Sequence, residues 1–248
     1  MSISTPEELE ALLKIGRIVA TALKEMAGRV APGITTGELD RVGQDVLENH
    51  GARSAPQLCV SFPRATCISV NDEAAHGIPG DRTLHAGDLV NLDVSAELNG
   101  FFADTGASFP VPPISDQAER LCRQTRRALD RCLDSIRPGH LFNQTGLIVE
   151  EEAREGDFQV IRNLCSHGVG RWLHEEPRQI ANYYDRRDRR RFKEGMVIAL
   201  ETFMSLGSDW VAEAEDGWTL KTQDGGLAAQ YEHTIVVRPE GPLIVTQA

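Results

Sequence analysis

Two aspartates, Asp93 and Asp104, fall in the otherwise apolar stretch LVNLDVSAELNGFFADTGASF, residues 89–109. Asn99-Gly100 is a favoured type I′ turn pair flanked by apolar residues, so the spacing predicts a hairpin with Ser95 opposite Asp104. Period-two alternation then puts Asp93 and Asp104 on one face as diagonal neighbours. Ionised carboxylates meeting in an apolar setting are costly unless an arginine, a shared proton or a cation neutralises them. Glu201 in MVIALETF and Glu232 in AAQYEHTIVV also occupy inward strand positions, and His167 lies in the Gly-flanked loop CSHGVGRWLHEEP. No single lysine or arginine in these strands offsets the four carboxylates. Four carboxylates and one imidazole match two divalent cations, for which manganese, iron(II), cobalt or zinc suits the mixed oxygen and nitrogen donors. Two further histidines, His76 in NDEAAHGIPGD and His174 in GRWLHEEP, stand in Gly- and Pro-marked loops, where they can donate to a substrate carbonyl or meet a leaving amine. Taken singly, each histidine also reads as an ordinary loop residue and each aspartate as a solvated hairpin residue. The set as a whole points to metal.

The elements that must bring these residues together are written twice. LHAGDLVNLDV (84–94) aligns without a gap on FKEGMVIALET (192–202), matching Gly87 to Gly195 and Asp93 to Glu201. Pro32-Gly33 and Gly51 similarly match Pro138-Gly139 and Gly156. Each half reads helix, Pro-Gly break, helix, loop, strands. In the first half TPEELEALLKIGRIVATALKEMAGRV opens on Thr5 as N-cap with Pro6 behind it, Gly33 serves as a stop, and Thr35 and Glu38 have capping-box spacing. SDQAERLCRQTRRALDRCLDSIRPG and the segment from Asn143 to Glu155 are the counterparts. These patterns predict an α+β fold over 1–248 as one domain, with an internal repeat of approximately 1–110 and 111–248. Its two pseudo-symmetric halves form a curved, mainly antiparallel sheet covered by four helices, with the Asp93 and Glu201 strands meeting at the centre.

Composition bounds the setting. A chain of 248 residues with 41% hydrophobic and 25% charged residues can bury a substantial core, and a net charge of −11 argues against a surface that as a whole tracks nucleic acid or anionic membrane. Five cysteines, an odd number with no CxxC pair, fit reduced thiols and a cytoplasmic protein. The start MSISTPEELEALL has no basic segment leading into an apolar core, and nowhere do enough apolar residues run together to span a bilayer.

CISVNDEAAHGIP, LVNLDV with Asp104-Thr105, SHGVGRWLHEEP, the Glu201 strand, DGWTLKT and AAQYEHTIVV together resemble the type I methionine aminopeptidases, and the resemblance covers essentially the whole chain. It implies the duplicated pita-bread fold with a dinuclear centre. In that centre Asp104 and Glu232 bridge the ions, Asp93 chelates one, and His167 with Glu201 holds the other. It further implies hydrolysis of the first peptide bond of nascent chains, with catalytic roles for His76, His174 and Glu201, and a monomer acting on polypeptide N-termini. The chain lacks a Cys/His-rich extension and so resembles the short bacterial form. Substrate-binding residues by the same resemblance are Cys59, Phe62, Cys67, His76, Leu173, His174 and Trp218. The pocket departs from the family pattern: Cys59 and Phe62 stand where tyrosine is common, Leu173 where phenylalanine is frequent, Thr202-Phe203 for Pro-Met, and Phe102-Ala103 for His-Gly. A roomier or reshaped methionine pocket is expected. The run YYDRRDRRRFK (183–193) reads as a solvated loop or as a transient contact with ribosomal RNA. Neither membrane nor specific DNA is an expected partner. The alternatives are a peptidase of the same fold with altered N-terminal or Xaa-Pro specificity, relatives of which commonly carry a further amino-terminal domain, and a non-catalytic peptide-binding homologue, which would be expected to have lost ligands that are all present here.

Overall fold

A computed structural model describes residues 2–247. The first half runs α1 (Pro6–Ala27), α2 (Thr36–Asn49), β1 (Arg53–Ser54), α3 (Ala55–Val60), β2 (Cys67–Val70), β3 (Glu73–Ala75), β4 (Leu89–Leu98) and β5 (Phe101–Pro110). The second runs α4 (Asp116–Ser135), α5 (Asn143–Gly156), β6 (Gln159–Val160), β7 (Cys165–Gly168), β8 (Glu175–Ala181), β9 (Val197–Ser205), β10 (Val211–Glu213), β11 (Leu220–Thr222), β12 (Ala228–Val236) and β13 (Leu243–Ile244).

The helices begin where their caps direct. The Thr5 hydroxyl accepts from the Glu8 backbone, Thr35 and Glu38 complete a capping box, and Ser115 accepts from the Ala118 amide. The first helix stops at Ala27 with Gly28 as its cap, short of the expected Val30, and Gly33 (φ 97°) lies beyond, in the connection to α2. The second repeat is also offset by one residue at its glycine. Gly51 closes α2 at φ 70°, whereas the left-handed position after α5 belongs to Asp157 at φ 59°, a residue type whose short polar side chain tolerates it. No helix among the described residues is long and apolar enough to cross a membrane.

Ten strands form one sheet in the order β1-β4-β5-β12-β9-β7-β8, with β2 also on β4, β6 on β9 and β13 on β12. The order has an internal symmetry: β5 and β12 meet at the middle, each backed by a strand of its own half and of equal length. The hairpin turns at Asn99 (φ 52°) and Gly100 (φ 81°), and Ser95 pairs with Asp104. Helices α1 and α2 cover the first half around Leu12, Ile15, Val19, Leu39 and Leu47; α4 and α5 cover the second around Leu121, Leu129, Phe142 and Val149. The expected cover of four helices is joined by the short α3. A further sheet, β10-β11-β3, ties a first-half strand to two from the second.

The seam between the halves is unusual because β5 and β12 share one ladder position, Tyr231 opposite Ala107. Side chains replace the remaining ladder. The buried Thr234 hydroxyl accepts from the Asp104 amide at 2.9 Å and donates to the Asp104 carbonyl at 2.8 Å. The Thr105 hydroxyl donates to the Glu232 carbonyl at 3.0 Å, and the Ser108 hydroxyl accepts from the Gln230 amide at 2.9 Å. Hydroxyls standing between the strands hold them apart while keeping their amides satisfied.

Thr234→Val keeps the shape but leaves the buried Asp104 amide without its acceptor. Urea unfolding of the metal-free protein is expected to show a loss of about 1–3 kcal/mol; an unchanged midpoint and slope would mean that the hydroxyl does not secure the seam.

Candidate active site

Neighbouring strands each contribute one potential ligand: Asp93 from β4, Asp104 from β5, Glu232 from β12, Glu201 from β9 and His167 from β7. Glu232 and Glu201 are direct cross-strand partners. His167 pairs with Ala199, which places it diagonally to Glu201, and its Nε2 lies 3.5 Å from Glu201 Oε1. Ligand atoms of Asp104, His167 and Glu232 all lie within 4.8 Å of one another. Opposite Asp93 stands Gly106, and the Gln230 amide occupies the space its missing side chain leaves.

Two observations indicate what the cluster is built to hold. Asp104 Oδ1 and Glu232 Oε1 are buried oxygens without a hydrogen-bond partner, a costly state for carboxylates. Among the described residues, moreover, no lysine or arginine is paired with any of the four acids. Of the three ways to neutralise the cluster, the arginine is therefore ruled out, leaving protons or a cation. The histidine is oriented as a ligand: its Nδ1 lies 3.0 Å from the Gly168 carbonyl, which directs Nε2 towards the acids. Oxygen donors with one imidazole suit a first-row divalent ion.

Electrostatics agrees with that reading. Burial first, then repulsion from the neighbouring carboxylates, pushes Asp93, Glu201 and Glu232 well above the usual carboxylate range. Asp104 is pushed up to about 6, burial outweighing the hydrogen bonds that favour its charge. Burial, with His174 nearby, pulls His167 down to about 3, keeping it neutral and able to donate a lone pair.

The cluster floors a cavity of about 150 Å³. His76 and His174 open onto it from opposite halves. The His174 ring is 4.2 Å from that of His167, and His76 holds a left-handed φ of 55°, a strained backbone at the rim. Phe62 and Trp218 meet edge to face at 5.2 Å and form an apolar wall with Cys67 and Leu173. Trp218 arrives on the connection between β10 and β11. Cys59 does not line the cavity; it packs half-buried against the first-half core. Pro56 and Val60 take its place, four residues apart on one face of α3, with Ser95 also on the lining. Reading APQLCV as one helical turn would have found them, since a helix presents residues i and i+4 together.

The profile of metallopeptidase family M24 matches residues 10–239. Methionine aminopeptidase 2 of Bacillus subtilis is 49% identical over 248 residues, covering 100% of each chain. The methionine aminopeptidase of Escherichia coli is 39% identical over 250 residues, covering 99% of this chain and 94% of that one. Among solved structures, a methionine aminopeptidase from Thermotoga maritima superposes with a TM-score of 0.96 at 34% identity, over 100% of both chains.

A pH dependence follows from the raised carboxylates. In the unfolded chain they ionise near pH 4, whereas in the metal-free fold Asp104 does so at about 6 and the others well above the usual range. Their contribution to stability is thus present at acid pH and lost as pH rises through 6 and beyond. The rise in Tm on adding manganese is expected to be larger at pH 7.5 than at pH 5.5; an equal rise would refute this linkage.

Proposed function

The chain belongs to metallopeptidase family M24, and on that premise we propose that it is a methionyl aminopeptidase, hydrolysing the first peptide bond of nascent proteins and peptides to release methionine. The observation that carries the reading is the pair of orphaned oxygens, Asp104 Oδ1 and Glu232 Oε1, on two carboxylates grouped with His167 at the floor of the cavity. Residues 1–248 act as one catalytic domain, a reading supported by ligands drawn from both halves. Asp104 and Glu232 would serve both of two divalent cations, Asp93 would hold one of them, and His167 with Glu201 would hold the other. Manganese, iron(II), cobalt and zinc all suit the donor set. When bound, the cations supply Lewis acidity and make a water nucleophilic near neutral pH.

The protein's own groups do the rest. Glu201 takes the proton of the attacking water and passes it to the leaving amine. His174 donates to the scissile carbonyl oxygen as negative charge develops there, and His76 contacts the scissile amide. A free N-terminal amine would serve as a further donor to a bound cation, which restricts cleavage to the N-terminus, and the acidic molecule, with a net charge of −11, draws a positively charged chain start. Phe62, Cys67, Leu173 and Trp218, with Pro56 and Val60, receive the methionine side chain. Because Cys59 lies off the lining, Phe62 and Leu173 remain as the substitutions that reshape the pocket, and one altered apolar contact shifts selectivity by only about 1–3 kcal/mol. Methionine preference is retained and relaxed.

The Arg-rich run supports ribosomal RNA as a transient contact, but through fewer residues than its length suggests. Arg190 is bound to Asp188 at 2.6 Å and Arg191 to the Gly139 carbonyl, whereas Arg186, Arg187 and Arg189 are exposed and make no ion pair among the described residues.

Metal-stripped protein reconstituted separately with manganese, iron(II), cobalt or zinc is expected to release methionine from Met-Ala-Ser, while Glu201→Ala does not. Met-Ala should be cleaved faster than Leu-Ala or Ala-Ala, with Leu-Ala within about 10–200-fold. No release with any metal, or preference for Xaa-Pro peptides, would overturn the assignment, and strict rejection of Leu-Ala would remove the reshaped pocket. Replacing Arg186, Arg187 and Arg189 by glutamate should weaken ribosome co-sedimentation at low salt; unchanged sedimentation would eliminate the contact.

A further inference from the structure

Behind the carboxylates a second row of polar side chains crosses the seam, and the reaction as described does not use it. Asn91 Nδ2 donates to Gln230 Oε1 at 2.8 Å, and Gln230 Nε2 donates to Glu232 Oε2 at 3.0 Å. Asn91, Gln230 and Glu232 are 4%, 1% and 2% exposed, so solvent cannot substitute for either bond. The backbone of Gln230 is fixed by the Ser108 hydroxyl, which accepts from its amide at 2.9 Å and donates to its carbonyl at 3.1 Å. The Gln230 amide lies directly over Gly106: a Cβ at that position would collide with Oε1 and come within 2.8 Å of Nε2. Only the far end of one side chain occupies the space that Gly106 leaves.

The chain of donors has a direction. The nitrogen of Asn91 can only donate, so it draws the oxygen of Gln230 to itself and turns the NH₂ end of that amide towards Glu232. The bond occupies Oε2 and leaves Oε1 without a hydrogen-bond partner, on a carboxylate grouped within 4.8 Å of ligand atoms of Asp104 and His167. A neutral amide suits this task because a lysine or arginine there would cancel the acids and repel a cation.

We propose that Asn91 and Gln230 are positioning residues that hold Glu232 with one oxygen engaged and the other presented to the cation, and that Gly106 supplies the space in which their relay fits. The inference rests on the metal reading of the site. None of the three residues lines the cavity.

The test titrates metal-stripped protein with cobalt(II), following heat and visible absorption, alongside Tm and the separate values of kcat and KM. Gln230→Glu is nearly isosteric but removes the donor. Gly106→Ala leaves Gln230 in place and displaces its amide, and Asn91→Ala releases the amide to turn over. Outer-sphere partners of metal ligands are typically worth about 10–100-fold in affinity, and Gln230→Glu is expected to lose that much, with an altered cobalt spectrum and a fall in kcat larger than the change in KM. Gly106→Ala and Asn91→Ala should shift in the same direction. Wild-type affinity and spectrum in all three, even with a lowered Tm, would reduce the relay to packing and overturn the proposal. Failure of the wild-type protein itself to bind cobalt(II) would overturn the metal reading, and this inference with it.

Discussion

Three buried carboxylates and the half-buried Asp93, on four adjacent strands, are the constraint to which the rest of the fold answers. Like charges at this spacing repel, and burial removes the water that would screen them. No basic side chain intervenes. A sheet built only for stability would place apolar residues at Asp93, Asp104, Glu201 and Glu232, since their neighbours Leu92, Val94, Leu200 and Ile235 belong to the cores that helices α1, α2, α4 and α5 cover. The two helical layers provide the stability that lets the opposite face of the sheet carry acids. This cost sits at a functional site and is compensated elsewhere in the molecule.

The seam meets a related demand. A full ladder between β5 and β12 would draw the acids on the two strands together; Thr105, Ser108 and Thr234 instead satisfy the backbone through hydroxyls across a wider gap. Gly106 and Gln230 complete the arrangement, one by leaving space and the other by filling it with an amide. Packing, hydrogen bonding and the placement of charge are therefore a single problem along this line.

Where the chemistry of a turn or the spacing of a repeat is strong, the sequence is sufficient to read the structure. Asn99-Gly100 fixes the hairpin register, and the gapless match of Asp93 with Glu201 identifies equivalent strands. Capping residues mark the starts of α1, α2 and α4, but α5 begins without a side-chain cap and was recognisable only as the partner of α2. The three-residue strands β3, β10 and β11 are too short to carry a period, so the sheet they form, and how Trp218 reaches the cavity, were not legible. Cys59 was assigned by resemblance, whereas Pro56 and Val60 of the same α3 line the cavity and Cys59 packs half-buried against the core; six residues show too little pattern to read which side docks. The Gly156 match missed by one residue because an aspartate takes a backbone conformation expected of glycine.

The division of the cluster between the halves has a further meaning. The first half contributes two aspartates; the second contributes two glutamates and a histidine. A symmetric homodimer of half-chains repeats every side chain on both sides of its axis, so a single imidazole could never appear in it without its twin. Covalent continuity between the copies removes that restriction. Once two repeats share one polypeptide, each can diverge alone, and the two ends of one cavity can offer different donors to an asymmetric guest such as a peptide, whose amine and carbonyl lie at opposite ends of the residue to be removed.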